Sequence, residues 1–305
     1  MAFTFFSFLS IAWSVEKFAS LAEAFRILAC VSIFPLALSI EKEQVKWVLL
    51  SLVLSSGFIA FYGIVEYLRT LMIIGDPTWR IFATFVNPNI LAGFLVALIP
   101  PTFALFLLSQ KGEIVLGFIL FAQMIALFLT GSRGGFLALI GASLFFIVVI
   151  VRMKMLKPFI RKGIPLLLIA ATLAYFGGFV KPLGRRVAGG GTVEEVQSSA
   201  FRTLLWRSAE TMIKAKPWGW GGGTFELVYP RYAIGGFSRT SHNSYLQFAS
   251  EVGLQGLIAL LIFLFLLAFH IHKRHQILPQ NDAFILGSLL AGGLASALHS
   301  IVDYD

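Results

Sequence analysis

The sequence predicts an all-α, polytopic membrane protein, and three observations support this fold class. Of its 305 residues, 58% are hydrophobic and only 13% are charged. The mean hydropathy is +0.85, which implies more apolar surface than a soluble domain of this length can bury. The apolar residues also fall into runs long enough to span a bilayer. These features predict a bundle of about eight or nine transmembrane helices.

Eight apolar runs approach or exceed the roughly 20 residues that a transmembrane helix needs. A ninth run, at 2–13, is short for a span, and one long polar loop interrupts the pattern. We therefore predict N-terminal transmembrane helices over 1–180, a large loop over 181–243, and C-terminal transmembrane helices over 244–305. The eight predicted spans are 18–40, 47–68, 90–108, 113–130, 134–151, 163–180, 244–270 and 283–302.

The short loops predict the orientation of the chain. Basic residues concentrate in the short cytoplasmic loops of membrane proteins, and the loop 152–162 carries five of them. Counting helices from this cytoplasmic loop places 69–89, the turn at 131–133 and the 181–243 loop on the outer side. The five basic residues are Arg152, Lys154, Lys157, Arg161 and Lys162.

The sequence lacks the motifs that are typical of several functional classes. The single cysteine, Cys30, excludes a disulfide framework and a cysteine metal site. The absence of Walker, His-Glu-x-x-His and Asp-x-Asp motifs argues against ATP hydrolysis, a zinc protease and a metal-dependent glycosyltransferase. The basic excess, 24 Lys+Arg against 15 Asp+Glu, is explained first by anchoring at an anionic leaflet. We therefore expect a lipid bilayer as partner, no nucleic acid, no metal and no cofactor.

The long loop carries more positive charge than topology requires. It holds nine basic against four acidic residues, and loops of this length are only weakly governed by the positive-inside rule. A phosphate ligand would account for the excess. Ser198 or Ser199 is predicted to cap an amphipathic helix over about 200–215, which we expect to lie on the membrane surface. Arg202 and Trp206, four residues apart, would lie side by side on it.

Three arginines are candidate phosphate ligands. Arg133 lies in 'TGSRGG' (130–135), where an arginine and the N–H groups that begin the next helix could cradle a diphosphate. The alternative is an interfacial arginine that snorkels at a helix end. Arg202 and Arg207 could donate paired hydrogen bonds to a phosphate, or they could contact lipid headgroups.

His242 stands where the long loop meets the next helix. An imidazole titrates near neutral pH, so it could accept a proton from an attacking hydroxyl. It could instead hold an acceptor by hydrogen bonding. A third alternative is that His242 only starts the helix together with Asn243, because 'HNS' is a reasonable N-terminal cap.

Four stretches together resemble the O-antigen ligase and polymerase family of bacterial membrane glycosyltransferases. Their order, and their common place on the predicted outer side, carry the resemblance, which covers roughly 45–305. The terminal 'HSIVDYD' (299–305) is also similar to that family. The four stretches are 'ATFVNPNILAGFLVALIP' (83–100), 'TGSRGGFLAL' (130–139), 'FRTLLWRSAETMIKAKPWGWGGGTF' (201–225) and 'SHNSYLQFASEVGLQGLI' (241–258).

The resemblance implies a GT-C-like bundle in the bacterial inner membrane, with one large periplasmic loop and an active site facing the periplasm. The implied reaction moves a glycan from undecaprenyl diphosphate to an acceptor hydroxyl, without a metal and with inversion. Arg133 and Arg202 match the family's diphosphate-binding arginines. His242 matches its loop-end histidine, which activates or positions the acceptor. The substrate-binding residues expected beside them are Arg207, Trp206 and Asn243.

Some alternatives stay open at this point. The acceptor could be a lipid A core sugar, another lipid-linked glycan repeat or a protein hydroxyl. The rival function is a transporter, a flippase or a non-catalytic binding protein for polyprenyl-linked glycans. A transporter is expected to show internal repeats and broken helices near the membrane midplane, and since neither is evident we favour the enzyme. Family members usually continue beyond 'VDYD', so a truncated member is a further alternative.

Overall fold

The computed structural model describes residues 2–176, 193–275 and 277–303, and its regular structure in these ranges is helical. The principal helices are α1 (Ala2–Leu9), α2 (Lys17–Leu38), α3 (Lys42–Ile74), α4 (Pro88–Leu108), α5 (Glu113–Thr130), α6 (Arg133–Arg152), α7 (Ile164–Phe176), α8 (Val193–Ala215), α9 (Ser244–Val252), α10 (Leu254–His275) and α11 (Gln280–His299). Short helical turns lie at Ser10–Trp13, Leu156–Pro158, Phe159–Gly163, Phe225–Val228 and Tyr229–Arg231.

Within the described ranges, seven helices are long and apolar enough to cross a membrane. They are α2 to α6, α10 and α11, so the prediction of a helical, multi-pass membrane protein is confirmed. The predicted span 163–180 appears as α7, which has 13 residues, and 177–180 lie outside the described residues. The apolar run 2–13 forms α1 and one short turn, shorter than a full span.

Helix α3 is longer than the span 47–68 that hydropathy predicts. It has 33 residues, which rise about 50 Å, whereas the hydrocarbon core of a bilayer is about 30 Å thick. The helix includes Lys42–Lys46 before the predicted span and Arg69–Ile74 after it. The helix must therefore tilt or extend past the hydrocarbon.

The predicted span 244–270 is wrong as a single helix, because Gly253 separates α9 from α10. Its φ of +96° lies in the left-handed region that favours glycine. A Cβ at this position would lie 2.5 Å from the carbonyl carbon of Trp218. The first N–H of α10 bonds the Pro217 carbonyl at 2.9 Å. The backbone that follows α8 thus lies against the break between α9 and α10. Only a glycine at position 253 leaves room for it.

One of the two compact units of the chain contains the described residues of Lys46–Thr192 and Ile271–His299. In it α11 packs against α4 and α6, and α5 packs against α4. A Cβ at Gly292 would clash with the Ala97 carbonyl oxygen, so a small residue lets α11 approach α4 closely, as in other membrane bundles.

The other unit contains the described residues of Met1–Val45, Val193–His270 and Ser300–Tyr304. Its α8 begins seven residues before the predicted start at 200, so neither predicted serine cap begins it. The place of α8 on the membrane surface stays a prediction, but its apolar face is covered by protein. That face packs against aromatic and aliphatic residues that follow in the loop, and this small core is made of Leu205, Ala209, Met212, Phe225, Val228 and Tyr229.

The N-terminal segment of the same unit holds the glycine turn 219–223. The backbone N–H of Val15 donates to the Trp220 carbonyl at 3.1 Å. The Ser20 hydroxyl donates to the Gly222 carbonyl at 2.8 Å. The start of α2 and the loop after α8 are therefore connected, although about 200 residues separate them in sequence.

Candidate functional site

The backbone around His242 is held by its neighbours. Asn243 caps α9, since its side-chain oxygen accepts from the Leu246 N–H at 2.9 Å. The Ser241 hydroxyl donates to the Asn243 carbonyl at 2.8 Å, and the Ser241 N–H donates to Gln247 Oε1 at 3.0 Å. Asn243, and not His242, is thus the capping residue, and contact of Asn243 with a substrate stays a prediction.

His242 itself has a strained backbone. Its φ of +50° lies in the left-handed region, which costs a residue with a Cβ roughly 1–2 kcal/mol. Residues held in such conformations cluster at functional sites, where the surrounding structure over-determines them. The hydrogen bonds on both sides of His242 supply that support here.

Asp303 contacts both His242 and Arg202. Its Oδ1 lies 3.0 Å from His242 Nδ1, and its Oδ2 lies 3.5 Å from Arg202 Nη2. The Asp303 side chain is only 7% exposed, against 36% for His242. Because an ionised carboxylate only accepts hydrogen bonds, a neutral imidazole beside it carries its proton on Nδ1, and Nε2 is then an acceptor.

The segment that carries Asp303 is tied to the start of α9. The Ser244 N–H donates to the Ser300 carbonyl at 2.9 Å, and the Ser244 hydroxyl donates to the Asp303 carbonyl at 3.2 Å. Our sequence analysis assigned no role to Asp303, which is 61 residues from His242. The only signal was its place in 'HSIVDYD' (299–305).

Helix α8 contributes two of the predicted residues to this cluster. Arg202 contacts Asp303, and the Trp206 indole N–H donates to the His242 carbonyl at 3.4 Å. The two side chains are four residues apart, as their spacing on one helix face predicts, and they contact Asp303 and His242 respectively. Arg207 is exposed, and the structure does not bring it into this cluster.

Arg133 belongs to the other compact unit. It is the first residue of α6, and Ser132 caps that helix by accepting from the Gly135 N–H at 3.2 Å. Gly131, with φ +60°, ends α5, so the predicted tight turn between two helices is present. A helix N-terminus carries partial positive charge, which adds to that of the half-buried Arg133 side chain.

Arg80 supports the same turn, and our sequence analysis missed it. Its Nε donates to the Thr130 carbonyl at 2.7 Å, and its Nη2 donates to Asn89 Oδ1 at 3.0 Å. Arg80 therefore joins the 'TGSRGG' turn to the start of α4. The sequence signal was weak, because Arg80 lies in a loop without a motif of its own.

Glu251 is a second residue that the sequence analysis missed. Its buried carboxylate accepts from the N–H groups of Gly223 and Phe225 at 2.9 and 3.0 Å. Gln247 Nε2 donates to it at 3.3 Å, and the oxygen of the same amide accepts from Ser241, next to His242.

The environment of Glu251 raises its pKa to about 7. Burial is the main cause and the charge of Glu23 a smaller one, and both outweigh the hydrogen bonds to the carboxylate, which lower the pKa.

The cluster around His242 combines groups suited to reaction at a hydroxyl beside an anion. An imidazole held by a carboxylate can accept a proton, and a guanidinium can bind a phosphate through several donors. Among the described residues there is no group of three or more His, Cys, Asp or Glu side chains placed to hold a metal ion.

Comparison with known families gives a match over part of the chain. A family model described as O-antigen ligase matches residues 116–261. The match includes three of the four stretches that carry the resemblance, and with them Arg133, Arg202 and His242. No curated protein and no solved structure matches the chain. The resemblance is thus confirmed over 116–261, where this multi-pass membrane protein matches the O-antigen ligase family model.

Proposed function

We propose that the chain transfers a glycan from undecaprenyl diphosphate to an acceptor hydroxyl at the periplasmic face of the bacterial inner membrane. The product would be a surface polysaccharide, in agreement with the family. The single observation that supports this most is the contact of Asp303 with both His242 and Arg202. A general base and an anion-binding group thereby share one buried carboxylate.

The proposed step is a single displacement. The acceptor oxygen attacks the anomeric carbon of the glycan, and the bond from that carbon to the diphosphate oxygen breaks. The proton of the acceptor hydroxyl passes to Nε2 of His242, while undecaprenyl diphosphate leaves with the bonding electron pair. Attack opposite the leaving group inverts the anomeric configuration.

Arginines stabilise the leaving group in this proposal. Arg133 and Arg202 neutralise the diphosphate, which then departs without a metal ion and with little help from an acid. An ion pair with Asp303 involves only part of the Arg202 guanidinium, which has five N–H donors. Further contacts with the glycan or its carrier are proposed for Arg207, Trp206 and Asn243.

The experiment is transfer from a purified undecaprenyl-diphosphate-linked glycan to candidate acceptors in proteoliposomes. Wild type and His242→Ala are compared, together with Glu226→Gln, which removes a charge from an exposed ion pair in the same loop. We expect product with wild type and with Glu226→Gln, and a loss of at least about a hundredfold with His242→Ala. The acceptor that works identifies the subclass.

Two results would contradict the proposal. Full transfer by His242→Ala would remove the imidazole from the chemistry. Binding of the donor lipid by wild type without any transfer to lipid A core, glycan or protein acceptors would favour a transport or binding protein instead.

A further inference from the structure

Outside the cluster at His242, a cavity and a group of charges coincide at one end of α6. A cleft of about 720 Å³ opens between the last turns of α6 and the first turns of α11. Small-molecule sites typically enclose about 300–1,000 Å³. Both helices belong to the same compact unit and pack against each other there.

The wall of this cleft is mainly apolar, and part of it is exposed on the helix surface. Phe145 and Val148 of α6 and Leu290 of α11 line it. The Val148 side chain is 50% exposed, although it lies within a helix that is apolar enough to span a membrane. In that setting an exposed apolar wall is surrounded by acyl chains.

The mouth of the cleft is cationic. Arg152 and Lys154 line it, both are exposed, and no described residue in its lining is acidic. Lys154 follows the end of α6 in a left-handed conformation, with φ +56°. Gln280 donates to the Met153 carbonyl at 2.6 Å. This bond satisfies a carbonyl group at the C-terminal end of α6, beside the two cations.

We propose that this cleft binds one anionic phospholipid. The phosphate would lie at Arg152 and Lys154, where a planar guanidinium can donate two hydrogen bonds at once, and an acyl chain would follow Phe145 and Val148. The site lies at the end of the bundle that the loop 152–162 predicts to be cytoplasmic, where anionic lipid is available. It is independent of the proposed glycan transfer.

The binding experiment uses the purified full chain in detergent, after removal of bound lipid. Native mass spectrometry follows titration with phosphatidylglycerol, with phosphatidylcholine of the same acyl chains, and with glycerol 3-phosphate. We expect the first phosphatidylglycerol to bind about tenfold more tightly than phosphatidylcholine. Glycerol 3-phosphate should bind more weakly still, because it lacks the acyl chain that the apolar wall would contact.

Two pairs of variants locate the site. Arg152→Gln with Lys154→Gln should remove most of the tenfold preference. Lys111→Gln with Lys157→Gln, an equal loss of charge on loops of the same predicted side, should keep it.

Val148→Trp fills the cleft without changing charge and should weaken phosphatidylglycerol binding. Ile147→Trp changes the neighbouring exposed position, which does not line the cleft, and should leave binding unchanged.

Several outcomes would overturn the proposal. Equal affinity for the two phospholipids would remove the role of charge. Equal losses from both double variants would show a general effect of net charge. Glycerol 3-phosphate binding as tightly as phosphatidylglycerol would show a free-phosphate site, and unchanged binding by Val148→Trp would place the lipid elsewhere.

Discussion

A buried carboxylate determines which nitrogen of a neutral His242 carries the proton. Asp303 accepts from Nδ1 at 3.0 Å, so the other nitrogen is the one that can take a proton. Orientation of a reactive imidazole by a carboxylate is common at sites where the tautomer decides activity. Asp303 acts through His242 and Arg202 in this arrangement and is therefore a positioning residue.

Asp303→Asn should reduce glycan transfer by at least about tenfold, because an amide can donate to Nδ1 and so favour the wrong tautomer. The loss should fall on kcat more than on KM, since the variant changes the imidazole rather than the binding of the glycan. Both constants of wild type and variant, measured in the proteoliposome assay, provide the check. An unchanged kcat would remove Asp303 from the proposed site.

The strain at His242 can be separated from its chemistry. His242→Gly and His242→Ala both lack the imidazole, but only glycine adopts φ near +50° without steric cost. We expect the glycine variant to be more stable than the alanine variant by about 1 kcal/mol. Chemical unfolding in detergent measures the difference, and neither variant should transfer glycan. A more stable alanine variant would show that the backbone at position 242 is not strained.

At the scale of elements, the break between α9 and α10 separates a capped, partly polar helix from a membrane-spanning one. Gly253 makes the break, because its φ of +96° and the nearby Trp218 backbone exclude a side chain. The break lets α9 carry Asn243 and Glu251 as buried polar residues outside the membrane-spanning segments.

Gly253→Ala should lower the melting temperature and reduce transfer, because the new Cβ meets Trp218 and the left-handed backbone adds roughly 1–2 kcal/mol of strain. Gly293→Ala is the matched control. No atom lies within 4 Å of a Cβ at that helical position, so alanine should be neutral or stabilising. Thermal unfolding of both variants in detergent tests this, and equal melting temperatures would contradict it.

Glu251 makes the packing of α9 against the glycine turn depend on pH. Its pKa is raised from 4.5 to about 7, so the folded state binds this proton more tightly than the unfolded chain does. The stabilising contribution is complete below pH 4.5 and is lost as the pH rises through about 7.

Glu251→Gln should therefore flatten the dependence of melting temperature on pH between about 5 and 8. Wild type should lose several degrees more than the variant across this range. Glu226→Gln, at an exposed carboxylate, should keep the wild-type slope. Parallel curves for wild type and Glu251→Gln would show that the Glu251 carboxyl does not titrate in this range.

Across the whole molecule, residues of the proposed site come from distant parts of the chain. Arg202, His242 and Asp303 belong to one compact unit, which also contains the described N-terminal helices. In the proposed mechanism, arginine side chains neutralise the leaving diphosphate, which should make the reaction independent of divalent cations.

A chelator should therefore leave the transfer rate of the purified, reconstituted protein unchanged. Rates are measured in proteoliposomes with EDTA and, as a control, with EDTA saturated by magnesium. A loss of activity that magnesium or manganese restores would contradict the metal-independent mechanism and would require a cation at the diphosphate.

The helical membrane class, most of the spans and the resemblance to the O-antigen ligase family could be predicted from the sequence, because hydropathy is a local property and the motifs are contiguous. It also placed Arg202 and Trp206 on one face of a helix, which depends only on spacing.

The neighbours of these residues in space could not be predicted in this way. The carboxylate at His242 comes from Asp303, 61 residues away, and the cover on the apolar face of α8 comes from Phe225 and Tyr229. The break at Gly253 depends on Trp218, which no local pattern reveals. Contacts between distant residues follow from packing, and neither hydropathy nor spacing contains that information.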